Sequence, residues 1–478
     1  MTNILLVASE AVPFAKTGGL ADVVGSLPSA FDRDNYDVRV IMPKYGSIPK
    51  EYTDKMIFIT QINVSLGWRN KYCGIFKLEH EGITFYFIDN EFYFSGIQLY
   101  SYIHEDIEKF AFFSSAVLSV LPHIDFRPDI LHCNDWQTSL IPVMLNVLYK
   151  NHIFYNGIKT IMTIHNLKFQ GIWGLGETYD ATGLPIECFT PDKMEYYNDS
   201  NLLKGGLVYA NHITTVSTTY MEEIQTPEYG EGLDGLLRAR KNDLTGIING
   251  ISYTEYNPSS DDLIYAKYNL KDFSSKKADN KVALQRQLGL TEDKNTFLIG
   301  VVSRLTDQKG FDLISDLMER FCGQDMQLVV LGTGESKHED MLRHYAELYP
   351  DKVSANILFS NDLAHKIYGA SDAFLMPSLF EPCGLSQLIS MRYGTVPIVR
   401  ETGGLKDTVI PFNKYSGEGT GFSFTNYNAD ELWSIICMAK ETYKDQTKWN
   451  SIARQGMAKD YSWLEAAKQY ADLYKTLL

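Results

Sequence analysis

Basic residues are in deficit. The chain has 44 Lys and Arg against 59 Asp and Glu, a formal net charge of −15. A surface of that sign repels phosphate backbones, which argues against a nucleic-acid-binding protein. It still leaves room for a small basic pocket. Cysteine is also sparse, with Cys73, Cys133, Cys188, Cys322, Cys383 and Cys437 scattered along the chain. None forms a C-x-x-C pair and none joins histidines at zinc spacing, so a disulfide scaffold and a zinc module are both excluded. That usage suits a reduced, cytoplasmic protein. No apolar run is long enough to span a bilayer, so no membrane partner is expected. Met1-Thr2-Asn3 leads straight into an apolar strand without a basic n-region, and no signal peptide is expected. Low-complexity tracts are missing as well.

What is present is size and alternation. At 478 residues, 45% of them hydrophobic, the chain exceeds one ordinary core, and two α/β domains are the natural division. Aromatics reach 13%, with 30 tyrosines. Such faces suit sugar rings, although tyrosine can simply be abundant. In the first half, Ile4–Ala8, Val38–Met42, Thr84–Ile88, Ile130–His132, Thr160–Ile164 and His212–Val216 read as strands. Glu105–Leu121 and Ser139–Tyr149 read as helices between them, the pattern of a parallel sheet with right-handed crossovers. Lys55–Phe87 alternates around a turn at Glu81-Gly82 and reads as an antiparallel insertion. A second alternation has strands at Phe297–Ser303, Gln327–Leu331, Val353–Phe359, Ala373–Pro377 and Val396–Val399. The polar stretch Tyr253–Lys281 reads as a connector, with a hinge near Ile247–Gly250.

One phrase occurs twice. Thr17-Gly18-Gly19-Leu20 follows the first strand, and Thr402-Gly403-Gly404-Leu405 follows the strand at Val396–Val399. Glycine lets backbone N–H groups approach a ligand, and the start of the next helix favours phosphate. Two such turns suggest two nucleotide-fold domains, and chance similarity of two tight loops is the plain alternative.

Other candidates also sit at strand ends. Arg304 and Lys309 lie in Ser303–Gly310, after the first strand of the second half, where open α/β sheets bind ligands. Arginine can fork onto two phosphate oxygens and lysine adds a point charge; a solvated basic loop is the alternative. Glu381 precedes Gly384, Leu385 and a helix. It can accept from sugar hydroxyls or simply complement the helix dipole. His165 and Asn166 end the strand Thr160–Ile164. Asp135 and Trp136 pair a carboxylate with a flat ring, as a sugar site does, or serve as helix cap and packing residue. Two signals are weak. Gly332-Thr333-Gly334 lacks the third glycine of a dinucleotide fingerprint because position 337 is Lys. Asp32-Arg33-Asp34 has D-x-D form but lies away from strand carboxyl ends, and no catalytic metal is expected.

In this order and spacing the set resembles the bacterial-type glycogen synthases of the starch synthase family. The resemblance spans nearly the whole chain and rests on the phrase from Lys16 to Val23, His132 to Trp136, His165-Asn166, Ile248 to Ile251, Ser303 to Gly310, Glu381 to Gln387, and Thr402 to Leu405. It implies an α/β fold of two facing Rossmann-like domains, the GT-B architecture, with the active site in the cleft between them. Residues 1-246, joined by a C-terminal helix over 461-478, form the acceptor-side domain on this reading, and 247-460 the nucleotide-sugar domain. The implied reaction moves glucose from ADP-glucose to the non-reducing 4-hydroxyl of an α-1,4-glucan such as glycogen, with retention and without a metal or other cofactor.

The resemblance also assigns roles. Arg304 and Lys309 neutralise the leaving diphosphate, while Lys16, Gly18, Gly19, Asn249, Gly384, Leu385, Thr402, Gly403 and Gly404 surround the donor. His165 and Glu381 hold glucose hydroxyls. Asp22, Asp135, Trp136 and Asn166 line the donor–acceptor junction. Three positions depart from the pattern: Ser252 stands where the family usually has Asp, Gln137 where it often has His, and Ile389 where broader GT-B relatives carry a second Glu. A related GT-B glucosyltransferase using UDP-glucose or another acceptor, and a non-catalytic glucan-binding protein, remain as alternatives.

Overall fold

The computed structural model describes residues 1–96, 98–100 and 103–478. The chain divides into two compact units, Met1–Gly250 with Trp463–Leu478, and Ile251–Ser462.

In the first unit the strands are β1 (Thr2–Val7), β2 (Tyr36–Pro43), β3 (Ile57–Leu66), β4 (Arg69–His80), β5 (Ile83–Asp89), β6 (Ile130–Asn134) and β7 (Lys159–Ile164). Further on come β8 (Ile172–Gly174), β9 (Glu195–Tyr196), β10 (Asp199–Asn201), β11 (His212–Thr215) and β12 (Leu244–Gly246). Nine of them form one sheet in the order β12-β11-β7-β6-β1-β2-β5-β4-β3, and β8-β10-β9 form a small separate sheet. From β12 to β5 every pairing is parallel. β5-β4-β3 are antiparallel, as the alternation and turn in that stretch predict. Ile4 to Val7 and Ile130 to Cys133 are buried, as continuous apolar runs in a sheet covered on both faces should be.

The C-terminal helix Trp463–Leu477 belongs to this unit. Tyr474 stacks on Phe31 and its hydroxyl meets His132 Nδ1 at 2.8 Å, while His132 Nε2 meets Thr163 Oγ1 at 2.6 Å. Burial drives the His132 pKa down to about 3, so the ring is neutral and serves packing.

The second unit has β13 (Phe297–Val302), β14 (Met326–Leu331), β15 (Val353–Asn356), β16 (Ala373–Met376), β17 (Val396–Arg400) and β18 (Phe422–Phe424). They form a six-stranded parallel sheet in the order β15-β14-β13-β16-β17-β18. Renumbered along the chain this is 3-2-1-4-5-6, the Rossmann order. The parallel strands of the first unit, counted from β1, follow the same order with one further strand. In each unit the order reverses beside the first strand, and crevices for ligands open there at the carboxyl ends.

The connector is shorter than its polarity suggests, because Phe273–Leu288 is a helix. Its inward face carries Lys277, Asn280, Lys281 and Gln285, all buried. Lys277 Nζ donates to the Tyr368 and Gly369 carbonyls and to Thr395 Oγ1. Lys281 forms an ion pair with Asp372 at 2.6 Å. A helical period written in hydrogen-bonded polar residues leaves no apolar stripe to read. No helix among the described residues is long and apolar enough to cross a membrane.

Candidate active site

Site candidates of the second unit lie beyond the carboxyl ends of β13, β16 and β17. After β13, a turn ends at Gly310, whose φ of +79° and approach to the Pro377 carbonyl exclude a side chain. Lys309, just before it, reaches Glu381 with Nζ–Oε2 at 2.6 Å. Ser378 Oγ donates to the same carboxylate oxygen at 3.2 Å. Both partners are largely enclosed, so the pair holds its geometry better than a surface pair does. Arg304 is exposed, and its guanidinium has no partner among the described residues. A cavity of about 70 Å3 opens here, lined by Ser303, Lys309, Ser378, Glu381, Gly384 and Leu385. Gly384 has φ +73° and precedes the helix Ser386–Arg392, whose first residue also lines the cavity.

The two glycine phrases have different fates. Thr402, Gly403 and Gly404 are buried, and the Gly404 N–H donates to the carbonyls of Glu381 and Pro382, both at 3.2 Å. A Cβ on Gly403 would come within 1.9 Å of the Glu381 carbonyl oxygen. This glycine pair therefore lets the start of Gly403–Thr408 press against the Glu381 loop, and the Gly404 amide is not the open anion donor that the sequence suggested. Gly18 and Gly19, by contrast, are exposed at the start of the helix Gly19–Ser26. Lys16 pairs with Asp22 at 2.7 Å across this turn.

Sequence reasoning missed the residue that shapes the first turn. Glu10 is buried, and one carboxylate oxygen accepts from both the Thr17 N–H (2.6 Å) and the Thr17 hydroxyl (2.8 Å). Binding the Thr17 amide inward leaves the next two amides at the exposed turn. Burial raises the Glu10 carboxyl to about 7 despite these bonds. A lone acid after an apolar strand gives no sequence signal of that kind.

Beyond β6, Asp135 has φ +56°, a conformation few non-glycine residues hold. Its Oδ1 accepts the His165 N–H at 2.8 Å, and the Asn166 N–H also bonds to it. The structure thus joins Asp135, His165 and Asn166, which come from two adjacent strands. Burial pushes the Asp135 carboxyl up to about 7, with Glu10 adding repulsion. Trp136 packs against Phe110 and Trp173, with centroids 5.2 and 5.3 Å away, and remains partly exposed. Asn249 is buried, with an Oδ1 that has no hydrogen-bond partner among the described residues. Gln137 is likewise buried, and its Oε1 has no hydrogen-bond partner among the described residues.

Phe359, past the carboxyl end of β15, is 88% exposed and offers a flat face on the same edge of the second sheet. The strand predicted over Val353–Phe359 stops at Asn356, which moves this ring from the sheet to the rim. Asp307, Glu335 and His338 are the one group among the described residues spaced to hold a metal ion. Lys337 already bridges the two carboxylates, at 2.6 and 3.1 Å. Asp32 and Asp34 lie in a turn at the amino end of β2, where Asp32 accepts the Asp34 N–H.

Residues 3–239 match the family model described as the starch synthase catalytic domain, and residues 283–456 match that of glycosyl transferases group 1. A glycogen synthase of Lachnospira eligens is 63% identical over 478 residues, covering all of both chains. The chain belongs to the glycogen and starch synthase family. A glycogen synthase of Lachnoclostridium phytofermentans is 58% identical over the same full length. Among solved structures, the catalytic domain of starch synthase IV from Arabidopsis thaliana, bound to ADP and acarbose, superposes with a TM-score of 0.90. It is 32% identical and the match covers 100% of this chain and 99% of that one. A sucrose-phosphate synthase from Thermosynechococcus elongatus shares the fold, with a TM-score of 0.63 at 18% identity. The glycogen synthase family membership and the two Rossmann-ordered sheets together make the fold GT-B.

Proposed function

We propose that this family member is a glycogen synthase, an enzyme that transfers glucose from ADP-glucose to the non-reducing 4-hydroxyl of an α-1,4-glucan with retention. The observation that carries the reading is the cation arrangement beyond β13. Arg304 has no partner among the described residues and Lys309 is fixed by Glu381, in a chain with net charge −15. Two cations at one strand end, one held and one open, suit a diphosphate in so acidic a protein.

On this reading the second unit holds the donor. Arg304 and Lys309 stabilise the charge that grows on the departing diphosphate, and the amides near Gly384 add donors. Phe359 gives the nucleobase a face to stack on. Glu381 holds glucose hydroxyls while anchoring Lys309. The first unit handles the acceptor side: His165, Asp135 and Asn166 meet the sugar, and the turn of Lys16, Gly18 and Gly19 offers N–H groups and a cation to an anion. The departing phosphate oxygen takes the acceptor hydroxyl's proton as the new glycosidic bond forms on the same face of the sugar, which retains configuration. The ADP in the Arabidopsis structure supports an adenine nucleotide donor. We place the reaction in the cytoplasm.

The test is incorporation of labelled glucose into glycogen from ADP-glucose and from UDP-glucose. Transfer from ADP-glucose at clearly higher kcat/KM is expected. Preference for UDP-glucose would reject the donor, and no transfer from either would reject the enzyme.

A further inference from the structure

His165 is held by a residue that no sequence pattern singled out. Asn134 is the last residue of β6 and is 1% exposed. Its Nδ2 donates to the Val7 carbonyl on β1 and to the His132 carbonyl, both at 3.1 Å. Those two bonds fix which end of the amide is nitrogen, because a carbonyl can only accept. The oxygen end is therefore Oδ1, and it lies 2.9 Å from His165 Nε2. An amide oxygen cannot donate, so Nε2 must carry the proton. Burial lowers the His165 pKa to about 3, so the ring is neutral and Nδ1 is bare. Among the described residues Nδ1 has no hydrogen-bond partner.

We infer that Asn134 is a positioning residue that locks His165 in the neutral Nε2–H tautomer, leaving Nδ1 as a fixed acceptor for a hydroxyl of the bound sugar. The inference rests on the glucosyl-transfer reading. Two anchors define the pose: Asn134 holds the ring, and Asp135 holds the backbone N–H at 2.8 Å. A histidine held this way cannot serve as a general acid or as a positive charge beside the donor. It can only accept, which selects a sugar hydroxyl over a phosphate oxygen at that point. The lock also removes the ring flip that would present the proton instead of the lone pair.

The test is nitrogen-15 spectroscopy of the histidine rings in the full chain, with the His165 signals identified by their loss in His165→Gln. The wild type should show Nε2 protonated and Nδ1 bare throughout pH 6 to 8, with the Nε2 proton protected from solvent. A protonated Nδ1, or an imidazolium at pH 7, would overturn the inference. Asn134→Leu should lose the protected proton and lower kcat by about tenfold or more, with the donor KM moving much less. Asn134→Asp keeps an acceptor for Nε2 but loses both donors to Val7 and His132, and should recover activity over Asn134→Leu. Equal loss in both variants would show that Asn134 only braces the strands. Should the variants fail to fold, the wild-type spectra decide alone. An Nε2–H ring in a chain that transfers no glucose would uphold the tautomer and reject the enzyme reading, so the two failures stay separate.

Discussion

Asp135→Asn should make the protein more stable and less active, and the gain in stability should depend on pH. The ordinary carboxyl pKa of 3.8 rises to about 7 in the fold because burial disfavours the charged form. The folded state therefore keeps a proton that the unfolded chain gives up. Nothing is lost below about pH 3, where both states are protonated. The cost of ionising the enclosed group grows between pH 4 and 7 and is complete above 7. About three pKa units at about 1.4 kcal/mol each give a cost on the order of 4 kcal/mol near pH 8, and about 1–2 kcal/mol near pH 5. Asparagine carries no charge, retains a carbonyl for the His165 N–H, and tolerates the positive φ better than most residues. Urea unfolding of wild type and variant, followed through the transition of the first unit, measures both values. The variant should gain a few kcal/mol near pH 8 and clearly less near pH 5. A variant destabilised near pH 8, or a difference that does not change with pH, would refute the burial argument. Glucosyl transfer measured in parallel should fall, since the carboxylate then serves the reaction at a cost to the fold.

Arg304→Ala and Lys309→Ala should each reduce turnover about a hundredfold or more while leaving thermal stability nearly unchanged for Arg304, which is exposed and has no partner among the described residues. The Lys309 change also leaves Glu381 enclosed without its cation, so some loss of stability should accompany it, readable by calorimetry. Glu10→Ala should raise the donor KM by releasing the Thr17 turn, and Glu10→Gln, which retains an acceptor oxygen, should restore most of it. Phe359→Ala should raise the KM for ADP-glucose with little change in glucan KM; equal effects on both would remove the stacking role. Transfer should persist in excess chelator, and complete loss restored by Mg²⁺ would bring the Asp307–Glu335–His338 group into the reaction.

Much of this architecture is legible in the sequence because parallel strands covered on both faces read as apolar runs. Ile4 to Ala8 and Val396 to Val399 show it plainly, and each leads into a glycine turn. What the pattern hides is who bonds to whom. The phrases after those strands share four residues, yet one turn is exposed and the other is packed against the Glu381 loop. That difference lies in the tertiary neighbours of Gly403 and Gly404, not in their own residue types. Glu10 and Asn134 were invisible for a related reason: each acts by a bond to a residue that the fold, not the spacing, brings near. The helix Phe273–Leu288 was hidden because its buried face is polar and its lysines find carbonyls or Asp372 instead of apolar partners. The brief edge strands β12 and β18 carry too few residues for any period to show.

The C-terminal helix has a consequence for how the protein is born. The second unit is inserted into the first: the chain leaves β12, builds residues 251–462, and only then supplies Trp463–Leu477. Ile251 and Ser462 are joined by a parallel bridge, so the inserted unit is closed at its own base. Emerging from the ribosome, the second unit can complete its core before the first unit can. Until Tyr474 arrives, the first sheet waits with Phe31 uncovered and His132 Nδ1 unpartnered. Its first-made half is thus the last to be sealed, and a nascent chain cut a few residues short would carry a finished second unit and an unsealed first one.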